Sequence, residues 1–413
     1  MKSRAKPSEH LVVRVNFARR LAGFSMLPLF SALTPLVLLP LLARMVSAEV
    51  WSSIAIGQSV GGFVAIIVSF GWTLVGPTLI GRSSGTERRS LYVESFVIRS
   101  IVLLAILPVA GIVVIVIVPR TGLVVGVSMA AAISLSGLSA SWFNIGAGRA
   151  VDVAKYEAVP KLVGTALAAI GLAIFREPVI YPTLIALSTL LGVLAFTRHV
   201  CGAGFWTAAR QVALRDSLRR SSSSALTVVA GGAYSASAVA LVGVGASVRS
   251  VSTYVSADKV YGMACLTVAS LANALQGWVA EVGGQHGARR RKLALLAHTI
   301  VGVTGCTFLI TLGSQATRVL YGAALEAPQW AMVWMGVAFL CISINTAVGR
   351  LMLIPLGHTR GVLISTVAGG FVGVPALIGG GNLAGAAGGA FGLATSELVV
   401  LLVQIVALMR ARD

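Results

Sequence analysis

The chain has 413 residues, of which 57% are hydrophobic and only 11% charged, with a formal net charge of +19 at pH 7. A soluble domain carries about 25% charged residues, so this chain cannot cover itself with a water-facing surface. The apolar stretches are too long for barrel strands and lack their alternation, which excludes an outer-membrane barrel as well.

What remains is an all-α, polytopic membrane protein of about 12 transmembrane helices. Residues 1–20 form a basic arm with no signal-peptide cleavage pattern. The predicted spans of the first half are Leu21–Ala43, Trp51–Ile80, Leu91–Val118, Leu123–Ala147, Ala158–Phe175 and Val179–Thr197. Pro28, Pro35 and Pro40 punctuate the first, Pro77 is expected to end the second, and Pro108 to interrupt the third. Residues 198–224 then hold five arginines, one acid and a serine run, and read as a hinge loop. The second half gives Ala225–Ala246, Thr253–Val282, Leu293–Leu312, Trp330–Leu356, Gly361–Gly379 and Leu383–Leu408, with 409–413 as a tail.

Lys and Arg fall on one side. Segments sharing the side of the N-terminus hold 25 of the 32, and the opposite segments hold Arg44, Arg120, Arg176, Arg249 and Arg318. This positive-inside bias predicts that both termini are cytoplasmic. It accounts for most of the +19, so the charge is topology and attraction to lipid headgroups, with no nucleic-acid partner implied. The inter-span segments are too short for an extramembrane catalytic domain.

The halves show an internal repeat. Asn144-Ile-Gly-Ala-Gly148-Arg149 ends the fourth span, and Asn345-Thr-Ala-Val-Gly349-Arg350 lies in the tenth, an offset of 201. Trp51 opens span 2 and Tyr254 opens span 8, an offset of 203. Six spans per half keep both halves in one orientation, so this is a parallel repeat of two six-helix bundles around a central cavity, suited to alternating access. Gly57 with Gly61, Gly369 with Gly373, and Gly381, Gly385 and Gly389 have the spacing for close helix contacts.

Ionisable residues inside spans are costly and become functional candidates. Arg99 lies eight residues into span 3, roughly 12 Å deep, where it either snorkels or faces the cavity. Asp258 and Lys259 lie in span 8, pointing about 100° apart. Arg44 sits at the outer mouth near Glu49, and Glu397 deep in the last span beside Ser396. Lys259, Arg99 and Arg44 are candidates for holding an anionic substrate, with Asn144 and Asn345 as polar partners. Asp258 and Glu397 are candidates for ion coupling. Gln58, Asn273 and Gln276 are further polar positions, with interhelical hydrogen bonding as their ordinary use. The four cysteines form no C-x-x-C pair, the five histidines lack metal-ligand spacing, and no cofactor or metal is expected.

Three segments carry a family resemblance. PLLARMVSAEVWSSIAIGQSVGGFVAIIVSFGW followed by a basic loop, SWFNIGAGR, and SVSTYVSADKVYGMACLTVASLANALQGWVAE, with Tyr254, Ala257 and Lys259 in a Tyr-x-x-Ala-x-Lys pattern, resemble Wzx-type polysaccharide flippases. These belong to the multidrug/oligosaccharidyl-lipid/polysaccharide superfamily. The resemblance implies translocation of an undecaprenyl-diphosphate-linked oligosaccharide from the inner to the outer leaflet of a bacterial cytoplasmic membrane. It also implies a lipid-linked glycan substrate, membrane lipids around the chain, and the polymerase and glycosyltransferases of that pathway as partners. It implies no enzymatic activity. An ion-coupled multidrug antiporter of the same superfamily is the alternative. A major-facilitator transporter is disfavoured because GRSSGTERR does not match that group's basic loop, and a membrane enzyme because no His/Asp/Glu constellation is evident.

Overall fold

A computed structural model describes residues 39–210, 212–280 and 284–410. The basic arm, most of predicted span 1 with Pro28 and Pro35, and the last residues of the tail lie outside the described residues. Every described segment that crosses is helical, since in hydrocarbon only a helix satisfies its own backbone groups.

The first half runs α1 (39–45), α2 (Ala48–Ser69), α3 (Trp72–Arg82), α4 (Gly85–Ile117), α5 (Leu123–Ser134), α6 (Ser141–Ala147), α7 (Ala150–Val153), α8 (Val159–Phe175) and α9 (Ile180–Cys201). After α10 (Phe205–Arg210), the second half runs α11 (Leu214–Gly243), α12 (Val248–Ala280), α13 (Gly284–Tyr321), α14 (Gln329–Thr346) and α15 (Thr359–Arg410). A π-helical segment, Ala154–Ala158, precedes α8, and another, Ala347–Leu353, continues α14. Each lies in or just after one copy of the Asn-x-x-x-Gly-Arg repeat.

Among the described residues, eight helical stretches are long and apolar enough to cross a membrane. The last of them, α15, is a hairpin. Ala384 and Gly385 leave helical geometry, with φ of −135° and 56°, and the arms 359–383 and 386–410 fold back so that Gly380 meets Gly388 and Ser396 Oγ donates to the Gly369 carbonyl. Gly385 takes the left-handed conformation the turn needs. The sequence-predicted spans 11 and 12 are these arms. Helices α11 and α12 are second-half helices that lie against α2 of the first half.

Five expectations are corrected. Span 2 is broken after Ser69, where Phe70 and Gly71 both take positive φ, and Pro77 lies inside α3, which continues to Arg82. Pro108 does not interrupt α4, which runs 33 residues through it; its missing donor is tolerated within a membrane helix. Span 4 is broken between α5 and α6 by the tight turn Leu135–Leu138. Much of 198–224, read as a loop, is helical, because α9 extends to Cys201 and α11 begins at Leu214.

In the first half α2 packs on α4 and α5, α3 on α6, and α8 on α9; in the second, α13 packs on α12 and α14, and α15 on α14 and α11. The halves meet where α11 and α12 lie against α2. Small residues set the spacing. A Cβ on Gly57 or Gly61 would overlap the carbonyls of Gly126 and Ala130 on α5, so the glycines let the two backbones touch. Overpacking of this kind costs about 1–3 kcal/mol or more. Gly61→Leu is therefore expected to lower the thermal midpoint of the detergent-solubilised protein by several degrees, whereas Gly62→Leu, where the added side chain meets open space, leaves it near wild type.

Candidate functional site

The contact between the halves is built from the N-termini of α2 and α12. Ser47 Oγ accepts from the Val50 amide and Ser247 Oγ from the Ser250 amide, at 3.3 and 3.2 Å. The two serine caps are thus 200 positions apart. Ser252 Oγ on α12 donates to the Ala48 carbonyl on α2 at 2.8 Å. Trp51 packs on Tyr321 with ring centroids 5.4 Å apart, and the Arg44 guanidinium donates to the Val319 carbonyl. Together these close one end of the inter-half seam with residues from both halves.

One step further along α2 and α12 the seam becomes polar. Lys259 Nζ donates to Gln58 Oε1 at 2.9 Å, and Gln58 Nε2 donates to the Tyr181 hydroxyl on α9 at 3.3 Å. Beside Gln58, Ser59 Oγ donates to the Ala236 carbonyl and accepts from the Ala240 amide, tying α2 to α11. Gln58 and Lys259 thus face each other across the seam, one from α2 and one from α12. Asp258, the neighbour of Lys259, lies within electrostatic reach of Lys259, Tyr254 and Tyr321. The buried hydroxyls of Tyr254 and Tyr321 and the Trp51 indole nitrogen have no hydrogen-bond partner among the described residues.

Arg99 belongs to a different place. It is 1% exposed and so does not snorkel. Its Nη1 donates to the carbonyls of Gly137 and Ser139 at 3.1 and 2.7 Å, its Nε donates to the Ser95 carbonyl at 3.3 Å, and its guanidinium lies 5.7 Å from the Trp142 ring centroid. The Gly137 and Ser139 carbonyls are freed where α5 ends, so Arg99 caps the break between α5 and α6. Ser139 and Ser141 in turn donate to the Glu157 carboxylate at 2.6–2.9 Å. Asn144, also on α6, is fully buried, and its side-chain amide has no partner among the described residues.

A third group lies in the second half. Asn345 Nδ2 donates to the Glu397 carboxylate at 2.9 Å and to the Glu397 carbonyl at 3.1 Å. They line a cavity of about 620 Å³ with Gln276, Arg350 and Gln404. Arg350 is a residue the sequence reading left among the loop cations. Its Nη2 donates to Asn273 Oδ1 and Gln276 Oε1 at 2.6 and 2.7 Å, and its Nε to Gln276 Oε1 at 3.1 Å. The signal for it was present: the repeat ends in arginine, and Asn273 and Gln276 stand three apart on α12. Its counterpart Arg149 is exposed and lies 3.9 Å from Asp152. The candidates therefore fall into three groups: Lys259, Asp258 and Arg44 along the seam, Arg99 and Asn144 in the first half, and Asn345 with Glu397 in the second. Among the described residues no cluster of three or more His, Cys, Asp or Glu that could hold a metal occurs.

No protein-family model matches the chain, and no curated protein matches it. Solved structures do. The chain is similar to the lipid II flippase MurJ in an inward closed conformation, at a TM-score of 0.73 and 16% identity over 94% of this chain and 87% of that one. It is similar to a multidrug resistance MATE family transporter of the MOP superfamily in an inward-facing conformation, at 0.66 and 12%, over 94% of each chain. A MOP superfamily transporter from Pyrococcus furiosus, described as having a binding pocket of reverse polarity, matches at 0.60 and 13% over 95% of this chain and 94% of that one. The fold is that of MOP superfamily transporters.

Removing Arg99 strips the donor from the Gly137 and Ser139 carbonyls, and an unmet buried polar group costs about 1–3 kcal/mol. Arg99→Ala is expected to give little folded protein by size-exclusion chromatography. Lys259→Ala, which frees one amide that Tyr181 still engages, is expected to elute and melt close to wild type.

Proposed function

We propose that this protein is a flippase. It moves an undecaprenyl-diphosphate-linked oligosaccharide or polysaccharide repeat unit from the inner to the outer leaflet of the bacterial cytoplasmic membrane by alternating access, with both termini cytoplasmic. The observation that carries this reading is the Lys259–Gln58 bond: an ammonium at the seam between the halves, held by a neutral amide of the opposite half. A hydrogen bond from a cation to an anionic oxygen is about twice as strong as one between neutral groups. A diphosphate entering the seam takes the ammonium from Gln58, and the same exchange loosens the tie between α2 and α12. Substrate capture and release of the halves are then one event. The polar head passes through a protein-lined path, which removes the cost of moving it through hydrocarbon, while the lipid chain stays in the bilayer. The fold shared with a lipid II flippase supports this reading, as do the Wzx-like segments around Lys259. The glycan polymerase and glycosyltransferases of the same pathway would supply and consume the substrate.

A second reading, an ion-coupled multidrug antiporter, draws on Glu397. This carboxylate and Asn345 line the second-half cavity, and an acid in a cavity suits a cationic drug or a coupling ion. Asp258 is the other acid for such a role.

Deleting the gene is expected to make lipid-linked glycan accumulate on the cytoplasmic leaflet with loss of surface polymer. Lys259→Ala at matched expression is expected to reduce complementation about ten- to a hundred-fold, and Lys259→Arg to restore part of it. Unchanged glycan lipids on deletion, together with a drug sensitivity that Glu397→Gln reproduces, would replace the flippase reading with the antiporter.

A further inference from the structure

Away from the seam, the outer surface of the first half carries a groove of about 430 Å³ between α8 and α9. Its floor is set by Gly164 and Gly192. A Cβ on Gly192 would overlap the Tyr156 carbonyl, and one on Gly164 would press on Ser188, so the two helices touch along the floor. The walls are long aliphatic side chains that stand about half exposed, Val159, Val163 and Leu167 on α8 and Leu187 and Leu191 on α9. The groove is a channel open sideways to the hydrocarbon.

One end of this channel is chemically different. Lys155 and Tyr156 close it, on the side where Lys and Arg concentrate. The exposed Lys155 ammonium lies 5.1 Å from the Tyr156 ring centroid, and Tyr156 stacks on His199 at 5.6 Å. Arg198, the neighbour of His199, is also exposed. No carboxylate lines the groove. The nearest acid in sequence, Glu157, receives hydrogen bonds from Ser139 and Ser141. The π-helical turn over Ala154–Ala158 inserts its extra residue here, at the head of the stripe 155, 159, 163 and 167. Such turns occur frequently at functional sites.

We propose that this groove is a binding site for an anionic phospholipid of the leaflet at the Lys/Arg-rich end, with one hydrocarbon chain along the α8–α9 channel and the headgroup phosphate on Lys155. The occupant follows from complementarity. The walls offer hydrocarbon contact, and the mouth offers a cation beside an aromatic shelf at interface depth. The two acids nearest Lys155 in the chain have other partners, Asp152 lying 3.9 Å from Arg149 and Glu157 accepting from Ser139 and Ser141. A zwitterionic lipid fits the channel equally well but gains less at the mouth. The site lies on the membrane face of the first half and does not depend on what passes along the seam.

The test is native mass spectrometry of the full chain released from nanodiscs holding equal phosphatidylglycerol and phosphatidylcholine. Wild type is expected to retain phosphatidylglycerol preferentially. One lysine near a membrane surface is worth about 1 kcal/mol, so Lys155→Ala is expected to lower that preference roughly five-fold, and Lys155→Arg to keep it. Leu191→Trp, which fills the channel from its exposed wall, is expected to lower retention of both lipids. Arg120→Ala, on an exposed arginine at the opposite membrane face, is expected to change neither. Retention blind to headgroup charge in wild type would overturn the proposal. So would retention unaltered in both Lys155→Ala and Leu191→Trp, or displacement of the phospholipid by equimolar undecaprenyl phosphate, which would assign the groove to a polyprenyl lipid instead.

Discussion

A cation inside hydrocarbon has to be met by oxygen, and in this protein the oxygen is neutral. Arg99 is met by three backbone carbonyls, Lys259 by the Gln58 amide, and Arg350 by the amides of Asn273 and Gln276. Glu397 follows the same rule in the opposite sense, with the Asn345 amide as donor. Pairing each cation with a carboxylate would satisfy desolvation as well, but would cancel the charge and hold it in place. Meeting it with dipoles leaves the charge intact, so an incoming ion of opposite sign forms a stronger bond than the one it replaces.

Which of these charges can exchange is decided by what the partner oxygens belong to. Two of the carbonyls on Arg99, those of Gly137 and Ser139, are backbone groups freed by the break between α5 and α6, and they would be stranded without the guanidinium. That charge is part of the fold. The oxygen on Lys259 is the end of a side chain on the other half of the protein, already bonded to Tyr181. It loses little when the ammonium leaves. Arg350 is intermediate: its amides are side chains, but both stand on α12, so releasing them reshapes the second half alone.

Much of this was legible in the sequence. Hydrophobic runs mark the described crossings, and each copy of Asn-x-x-x-Gly-Arg lies at or just before a π-helical segment. What was not legible has particular causes. Breaks at Phe70–Gly71 and at 135–140 sit inside unbroken apolar runs, because a membrane helix can end wherever a neighbour caps it, and Arg99 is 36 residues upstream of the turn it caps. Pro77 and Pro108 failed as punctuation because membrane helices tolerate proline. Gln58 and Lys259 are visible in the sequence as polar positions, but their pairing depends on how α2 packs against α12, which no local pattern encodes. Arg350 was hidden by position, since a cation near a span end reads as topology.

The polarity of the first turns of α12 ties these points together. A helix surrounded by lipid has no reason to carry SVSTYVSADK, and placing those groups in hydrocarbon would be costly. They are tolerable only where protein or water meets them, and along the seam α2 does so through Ala48 and Gln58. On the proposed reading, α12 would be least stable once the seam opened, unless something polar entered to replace α2. A seam filled by a polar headgroup would be stable and one left empty would not. That would couple movement of the halves to the presence of a polar solute without any separate sensor, and it would follow from where the sequence spends its few polar residues.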